Sequence, residues 1–291
     1  MKYAFIQTQR GKRSIALLCR LLEVSEQGYY AWRKRAVSRR SLQDKTLGDE
    51  IRMIHAETKQ RYGSPRIHQE LIARGRSCGK KRVERLMRTQ DLRARAARKF
   101  RATTDSSHEN TVAENILNRQ FKTTAPNQVW VGDITYLWTK EGWLYLAVFI
   151  DLYSRMIVGW SVGNRLSTEL VVTAWQRACM RRRPGAGLLV HTDRGVQYTS
   201  NAFSRALKSL CAVASMSRKG NCWDNAVAES FFHSFKVEAI YGITFETRRE
   251  MEQEVFDYIE RFYNRVRRHS SIAYKSPDEF ERSRIEEKIA A

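Results

Sequence analysis

The sequence has no hydrophobic run long enough to cross a bilayer. Its longest purely apolar stretch, Trp143 to Ile150, has eight residues, against about 18 or more for a spanning helix. The N-terminus does not read as a secretory leader either: the apolar run Ile15 to Cys19 is five residues long and Arg20 interrupts it, so a cytoplasmic chain with no membrane partner is expected. Cysteine is sparse. The five present (Cys19, Cys78, Cys179, Cys211 and Cys222) form no C-x-x-C pair, which argues against zinc ribbons and redox motifs and for reduced thiols. Four prolines and 15 glycines in 291 residues are too few for a disordered or fibrous chain. Acidic residues are scarce where the chain begins: residues 1–100 carry 9 against 26 basic ones, while residues 101–291 carry 22 against 26.

What is present follows from that imbalance. The length suits two domains, and a net charge of +21, of which +17 lies in residues 1–100, makes a polyanion the first partner to consider. A ribosomal protein would share the total charge, so its distribution has to be read. Ile15, Leu18, Cys19 and Leu22 fall at i, i+3, i+4 and i+7 on one helical stripe. Ser25 can cap a second helix through Tyr29, Tyr30 and Trp32, giving a helix-turn-helix spacing. A similar unit recurs, with Ser64 as cap, Pro65 at the first position, Gly75 as terminator and a third helix from about Lys80. There Val83, Leu86 and Met87 form the core stripe, and Lys80, Lys81, Arg82, Arg85 and Arg88 cover the other faces. Two such units in the most basic part of the chain suggest phosphate contacts on duplex DNA. A solvated basic bundle that binds nothing is the competing reading.

Residues 102–126 turn polar and read as a linker between the basic helical region, 1–101, and a second region, 127–291. Beyond it, Gln128 to Leu137, Trp143 to Asp151 and Met156 to Val162 are aromatic and β-branched with short turns between them, an antiparallel meander. A helix over Ser167 to Arg182, a strand over Gly187 to Thr192, a helix over Asn201 to Leu210 and a strand over Ala212 to Met216 then alternate, which calls for parallel crossovers. The predicted fold is α/β, a ribonuclease-H-like mixed sheet preceded by an all-α basic helix-turn-helix region, with a last helix over Thr247 to Arg265.

Three acids stand out. Asp133 sits mid-strand among β-formers, Asp193 ends the fourth strand, and Glu229 lies in the first turn of a helix that starts near Asn225. In the expected fold strands one and four are neighbours, so the three approach one another. Clustered carboxylates repel unless a cation sits between them; a hard, oxygen-ligated Mg²⁺ or Mn²⁺ suits the donors. Two such ions about 3.5 to 4 Å apart serve in-line phosphoryl transfer. Lys236 follows Glu229 by seven residues, two helical turns on the same face, within reach of a phosphate. His191 either lines the site or is a hydrogen-bonded core histidine; Asn225 is a candidate cap; Gln197 and Tyr198 contact DNA or belong to a loop that only packs.

At these residues the chain resembles the DDE transposases with a retroviral-integrase-type core, most closely OrfB of the bacterial insertion-sequence-three family. The resemblance rests on Tyr62-Gly63 with Arg66-Ile67, Asn127 to Tyr136, His191 to Gly195, Trp223 to Ala226 with Glu229 to Phe232, Lys236, and a tail of Tyr263-Asn264, Arg268-His269 and Ser276-Pro277. Val196 stands where the family has a small residue, and Ile272-Ala273 where it has Leu-Gly. The resemblance implies that Asp133, Asp193 and Glu229 are the catalytic, metal-binding triad and that Lys236 contacts DNA. It also implies a transposase that nicks and joins strands in the bacterial nucleoid, acts as a homo-oligomer on element ends and target, and has an OrfA partner or OrfAB fusion. A catalytically dead DNA-binding regulator and a ribonuclease-H-like nuclease are the alternatives.

Overall fold

The computed structural model describes residues 1–95, 112–218 and 222–290. Helices α1 (Lys2–Thr8), α2 (Ile15–Leu21) and α3 (Glu26–Lys34) close on a small core of Ile6, Leu18, Cys19 and Tyr29. Ser25 caps α3, its side chain accepting from the Gly28 amide at 3.0 Å. After Trp32 the chain is basic, with Arg33, Lys34, Arg35, Arg39 and Arg40, and it leads into the 19-residue helix α4 (Arg39–Glu57), capped by Ser38.

Helix α5 (Ser64–Ala73) begins one residue earlier than its serine implied. Gly63 holds the N-cap position and Ser64 is already helical, with Pro65 in the first turn, where a missing N–H costs nothing. Gly75, at φ +79°, ends α5 as expected: the Gly75 and Arg76 amides bond back to Ile72 and Leu71. Helix α6 (Lys80–Thr89) completes the unit. Ile51, Ile54, Ile67, Leu71, Val83 and Met87, all buried, lie in the same apolar cluster as one face of the sheet.

The sheet has five strands, β1 (Val129–Thr139), β2 (Gly142–Asp151), β3 (Ile157–Gly163), β4 (Leu189–Thr192) and β5 (Val213–Met216), in the order β3-β2-β1-β4-β5. The β1–β2 and β2–β3 pairs are antiparallel; β1–β4 and β4–β5 are parallel. This is the mixed sheet of the ribonuclease-H-like fold. Alternation along the strands sends Trp130, Ala147, Phe149 and Val158 to one face, under α7 (Thr168–Arg182) and α8 (Asn201–Lys208). Val131, Leu137, Leu146 and Val148 point to the other, under α9 (Ala226–Phe235) and α10 (Arg248–Phe256). Helix α7 lies so close to β3 that a Cβ on Gly159 would fall 2.4 Å from the Ala174 carbonyl oxygen.

The last predicted helix is a composite, since α10 passes at Asp257 into a π-helical segment ending at Tyr263; helix α11 (Pro277–Ala290) follows. Part of the polar segment before β1 is tied down. Leu117 is buried, and the Ile116 and Leu117 amides donate to Ser215 Oγ on β5. Residues 102–111 of the expected linker lie outside the described residues. No helix among the described residues is long and apolar enough to cross a membrane.

Candidate active site

The parallel pairing of β1 and β4 matches Val129 with Leu189, Trp130 with Val190 and Val131 with His191. Carrying that register on by two residues sets Asp133 level with Asp193, just past the end of β4. Gly132 permits the close approach, because a Cβ there would meet Phe149 Cε1 at 2.6 Å and Thr192 Cγ2 at 3.2 Å. Each carboxylate is held on one oxygen by a nearby amide: Ile134 donates to Asp133 Oδ1 at 2.8 Å, and Gly195 to Asp193 Oδ1 at 3.0 Å.

Burial pushes the Asp133 carboxyl well above the usual carboxylate range, and the charge of Asp193 adds to this. The Ile134 N–H pulls the other way; Glu229 raises it further and the Lys236 ammonium lowers it. Glu229, in the first turn of α9, is itself raised by partial desolvation. Burial lowers Lys236, while Asp133 opposes the shift. Asp133 is thus within electrostatic reach of Asp193, Glu229 and Lys236 at once. Among the described residues no set of three or more His, Cys, Asp or Glu side chains is drawn tightly enough to form a ready ion site, and Glu229 is exposed.

The structure corrects some expected details and decides others that the sequence left open. Lys236 does not continue the α-helix of Glu229: α9 ends at Phe235, and Lys236 opens a π turn, Lys236–Ile240, closed by the Tyr241 amide on the Lys236 carbonyl at 2.7 Å. His191 does not line the site. It is fully buried between Ser215 Oγ (2.9 Å) and Ser217 Oγ (3.1 Å), and burial pushes it down to about 4. Asn225 occupies the N-cap position of α9 without a side-chain capping bond; its Nδ2 reaches the Gly132 carbonyl at 3.5 Å instead. Gln197 and Tyr198 are buried, so that loop packs. On α6, Lys80, Lys81, Arg85 and Arg88 are exposed. Arg82 and Arg85, however, both reach Asp44 on α4, at 2.7 and 2.6 Å, and Arg88 pairs with Glu84.

Two buried acids that the sequence reading did not single out organise the surroundings. Asp224, immediately before α9, accepts from the main chain and guanidinium of Arg218, from Arg119 Nε and from Asn115 Nδ2, all within 2.9 to 3.0 Å. The Arg218 bond leads the causes that hold its carboxyl below the carboxylate range. Glu238, in the π turn, binds Arg66, Tyr258 and Arg267. An acid inside the apolar stretch Val237 to Ile240 was the available signal for it.

Known proteins match along the whole chain. An integrase core domain family matches residues 123–222, a second one of the same description residues 229–285, and an HTH-like domain residues 42–100. The transposase InsF for insertion sequence IS3A of Escherichia coli (strain K12) is 45% identical over 287 residues, covering 98% of this chain and 100% of that protein. A 31 kDa protein of insertion element IS600 from Shigella sonnei is 44% identical over 90% of this chain and 97% of its own length. The HTLV-2 integrase catalytic core domain in complex with magnesium aligns at 15% identity and a TM-score of 0.40, over 55% of this chain and 99% of that one. Given such identity across nearly the full length of both proteins, the chain belongs to the insertion sequence IS3 transposase family.

Proposed function

We propose that this chain is a DNA transposase that uses divalent metal to nick DNA at the ends of an insertion element and to join the liberated 3′-hydroxyls to target DNA in the bacterial cytoplasm. The observation that carries the reading is the parallel β1–β4 register, which carried on by two residues sets Asp133 level with Asp193, with Glu229 and Lys236 within electrostatic reach of Asp133. Hard oxygen donors that resist sharing negative charge suit a hard cation, Mg²⁺ or Mn²⁺, and Asp133, Asp193 and Glu229 would hold it. When bound, a pair of such ions stabilises both the attacking and the leaving oxygen of an in-line phosphoryl transfer.

The chain's own residues supply placement. The Ile134 and Gly195 amides each restrain one carboxylate oxygen of an aspartate. Lys236 offsets the charge of a phosphate, and water or a 3′-hydroxyl attacks, so no side chain acts as nucleophile. Lys80, Lys81, Arg82, Arg85 and Arg88 stand for duplex contact by the helix-turn-helix-like unit, with Arg82 and Arg85 shared with Asp44. Joining two element ends calls for a homo-oligomer, and an OrfA partner or fusion supplies further end recognition.

The test is metal-dependent nicking and joining on DNA that carries the element's terminal repeats. Asp133→Asn, Asp193→Asn and Glu229→Gln are each expected to abolish both reactions while DNA binding persists. Equal activity of wild type and Asp193→Asn would end this reading, and nicked products without joined strands would identify a nuclease.

A further inference from the structure

The helix-turn-helix-like unit and the acidic site meet at one carboxylate. Glu238 is 5% exposed and lies two residues beyond Lys236 in the same π turn. Its carboxylate accepts from Arg66 Nη1 at 2.9 Å, Tyr258 Oη at 2.8 Å, and Arg267 Nε and Nη2 at 2.8 and 2.7 Å. Its main-chain carbonyl accepts from Arg61 Nε and Arg95 Nη1, both at 3.2 Å. Arg61, Arg66 and Arg95 all fall within the HTH-like domain, residues 42–100.

A π turn is a rare insertion in a helix, often found at functional positions. Its extra residue rotates whatever precedes it by about 100° relative to an unbroken α-helix. Here contacts from outside the helix hold it, since arginines of the helical unit occupy both the carboxylate and the carbonyl of Glu238. The path onward is short: the Tyr241 amide closes the turn on the Lys236 carbonyl at 2.7 Å, and the Lys236 ammonium acts on Asp133.

We propose that Glu238, clamped by Arg66, is a positioning residue that holds Lys236 toward Asp133 while the helix-turn-helix-like unit is docked, so that DNA engagement by that unit is coupled to the acidic site. This rests on the role proposed for Lys236 above. Arg66 is the place to cut the connection, because α5 and the residue before its cap keep other anchors: Glu70 accepts from Arg268 Nε at 2.7 Å, and Tyr62 Oη donates to the Val266 carbonyl at 3.0 Å and accepts from the Arg268 amide at 2.9 Å.

The experiment is a double-mutant cycle on the full chain with Mg²⁺ and saturating element-end DNA, using Arg66→Met, Lys236→Ala and the pair, with Arg66→Gln alongside. Arg66→Met is expected to slow nicking by about 10- to 100-fold, with DNA affinity kept, and the pair to match Lys236→Ala within about twofold. Full multiplication of the two defects, or an undiminished rate for Arg66→Met, overturns the coupling alone. An undiminished rate for Lys236→Ala removes the role of Lys236 and the coupling with it. Independently of turnover, acetylation mapped by mass spectrometry is expected to rise severalfold at Lys236 in Arg66→Met, with Lys80 and Lys81 unchanged. Constant Lys236 labelling overturns the proposal.

Discussion

Arg218 wraps the fully buried carboxylate of Asp224, donating to it from its main-chain N–H and from two guanidinium nitrogens at 3.0 Å each. With Arg119 and Asn115 on the same carboxylate, this fastens the entry of α9 to the segment before β1. Removing the acid leaves two half-exposed guanidinium groups, which water can partly serve. Asp224→Ala is therefore expected to cost about 1 to 2 kcal/mol, read as a lower denaturant midpoint at constant m-value. An unchanged midpoint would show that the arginines reorient into solvent without loss.

His191 should make the fold sensitive to mild acid. Its folded value is pushed down to about 4, chiefly by burial, against about 6.5 in an unfolded chain. A neutral imidazole is therefore favoured by folding. Its contribution is complete above about pH 6.5 and is lost as pH falls toward 4, to the extent of about 3 kcal/mol. His191→Gln is expected to flatten the stability profile across that window. Parallel profiles for the two proteins would exclude this origin of acid lability.

The metal reading predicts a stability effect separate from turnover. Mg²⁺ at about 100 times its dissociation constant adds about 2.7 kcal/mol to unfolding, so the melting temperature should rise on titration. In Asp133→Asn and Asp193→Asn the rise should vanish. Because these changes relieve a repulsion that burial sharpens, both metal-free variants should melt above the metal-free wild type. Identical Mg²⁺ responses in all three proteins would refute it.

DNA affinity should fall steeply with salt, as counterion release requires. The exposed lysines of α6 should carry more of that slope than Arg82, whose guanidinium is committed to Asp44. Lys80→Ala with Lys81→Ala is expected to reduce the slope of log K against log salt by about two. A slope equal to that of the wild type would place the phosphate contacts elsewhere.

Ala273 occupies the left-handed region, at φ +56° and ψ +35°, where a Cβ costs about 1 to 2 kcal/mol. Ala273→Gly should therefore stabilise the fold by up to about 1 kcal/mol, after allowing for the greater freedom of glycine in the unfolded chain. A lower urea midpoint for the variant would contradict this.

The meander and its crossovers were legible because strand alternation and turn residues agree over short windows, and Asp133 stood out as an acid among β-formers. Helix α4 was not legible. Its apolar stripe is blurred by exposed Leu42 and Met53 and by Gly48 in its interior, and its start carries the basic run. The π turn at Lys236 leaves no periodic mark, since external contacts rather than local spacing hold it. The long-range pairings of Asp224 and Glu238 were hidden for the same kind of reason: Arg119 is 105 residues from the first and Arg66 172 from the second, distances over which no short motif reports pairing.

The parallel join of β1 to β4 has a bearing on biosynthesis. Asp133 leaves the ribosome early, but its neighbour across the join follows only after β2, β3 and α7 have been made, and α9 comes later still. A nascent or prematurely terminated polypeptide thus carries its basic helices without an assembled acidic centre. Because the apolar side of α4, α5 and α6 shares its core with one face of the sheet, such a fragment would also leave that side uncovered.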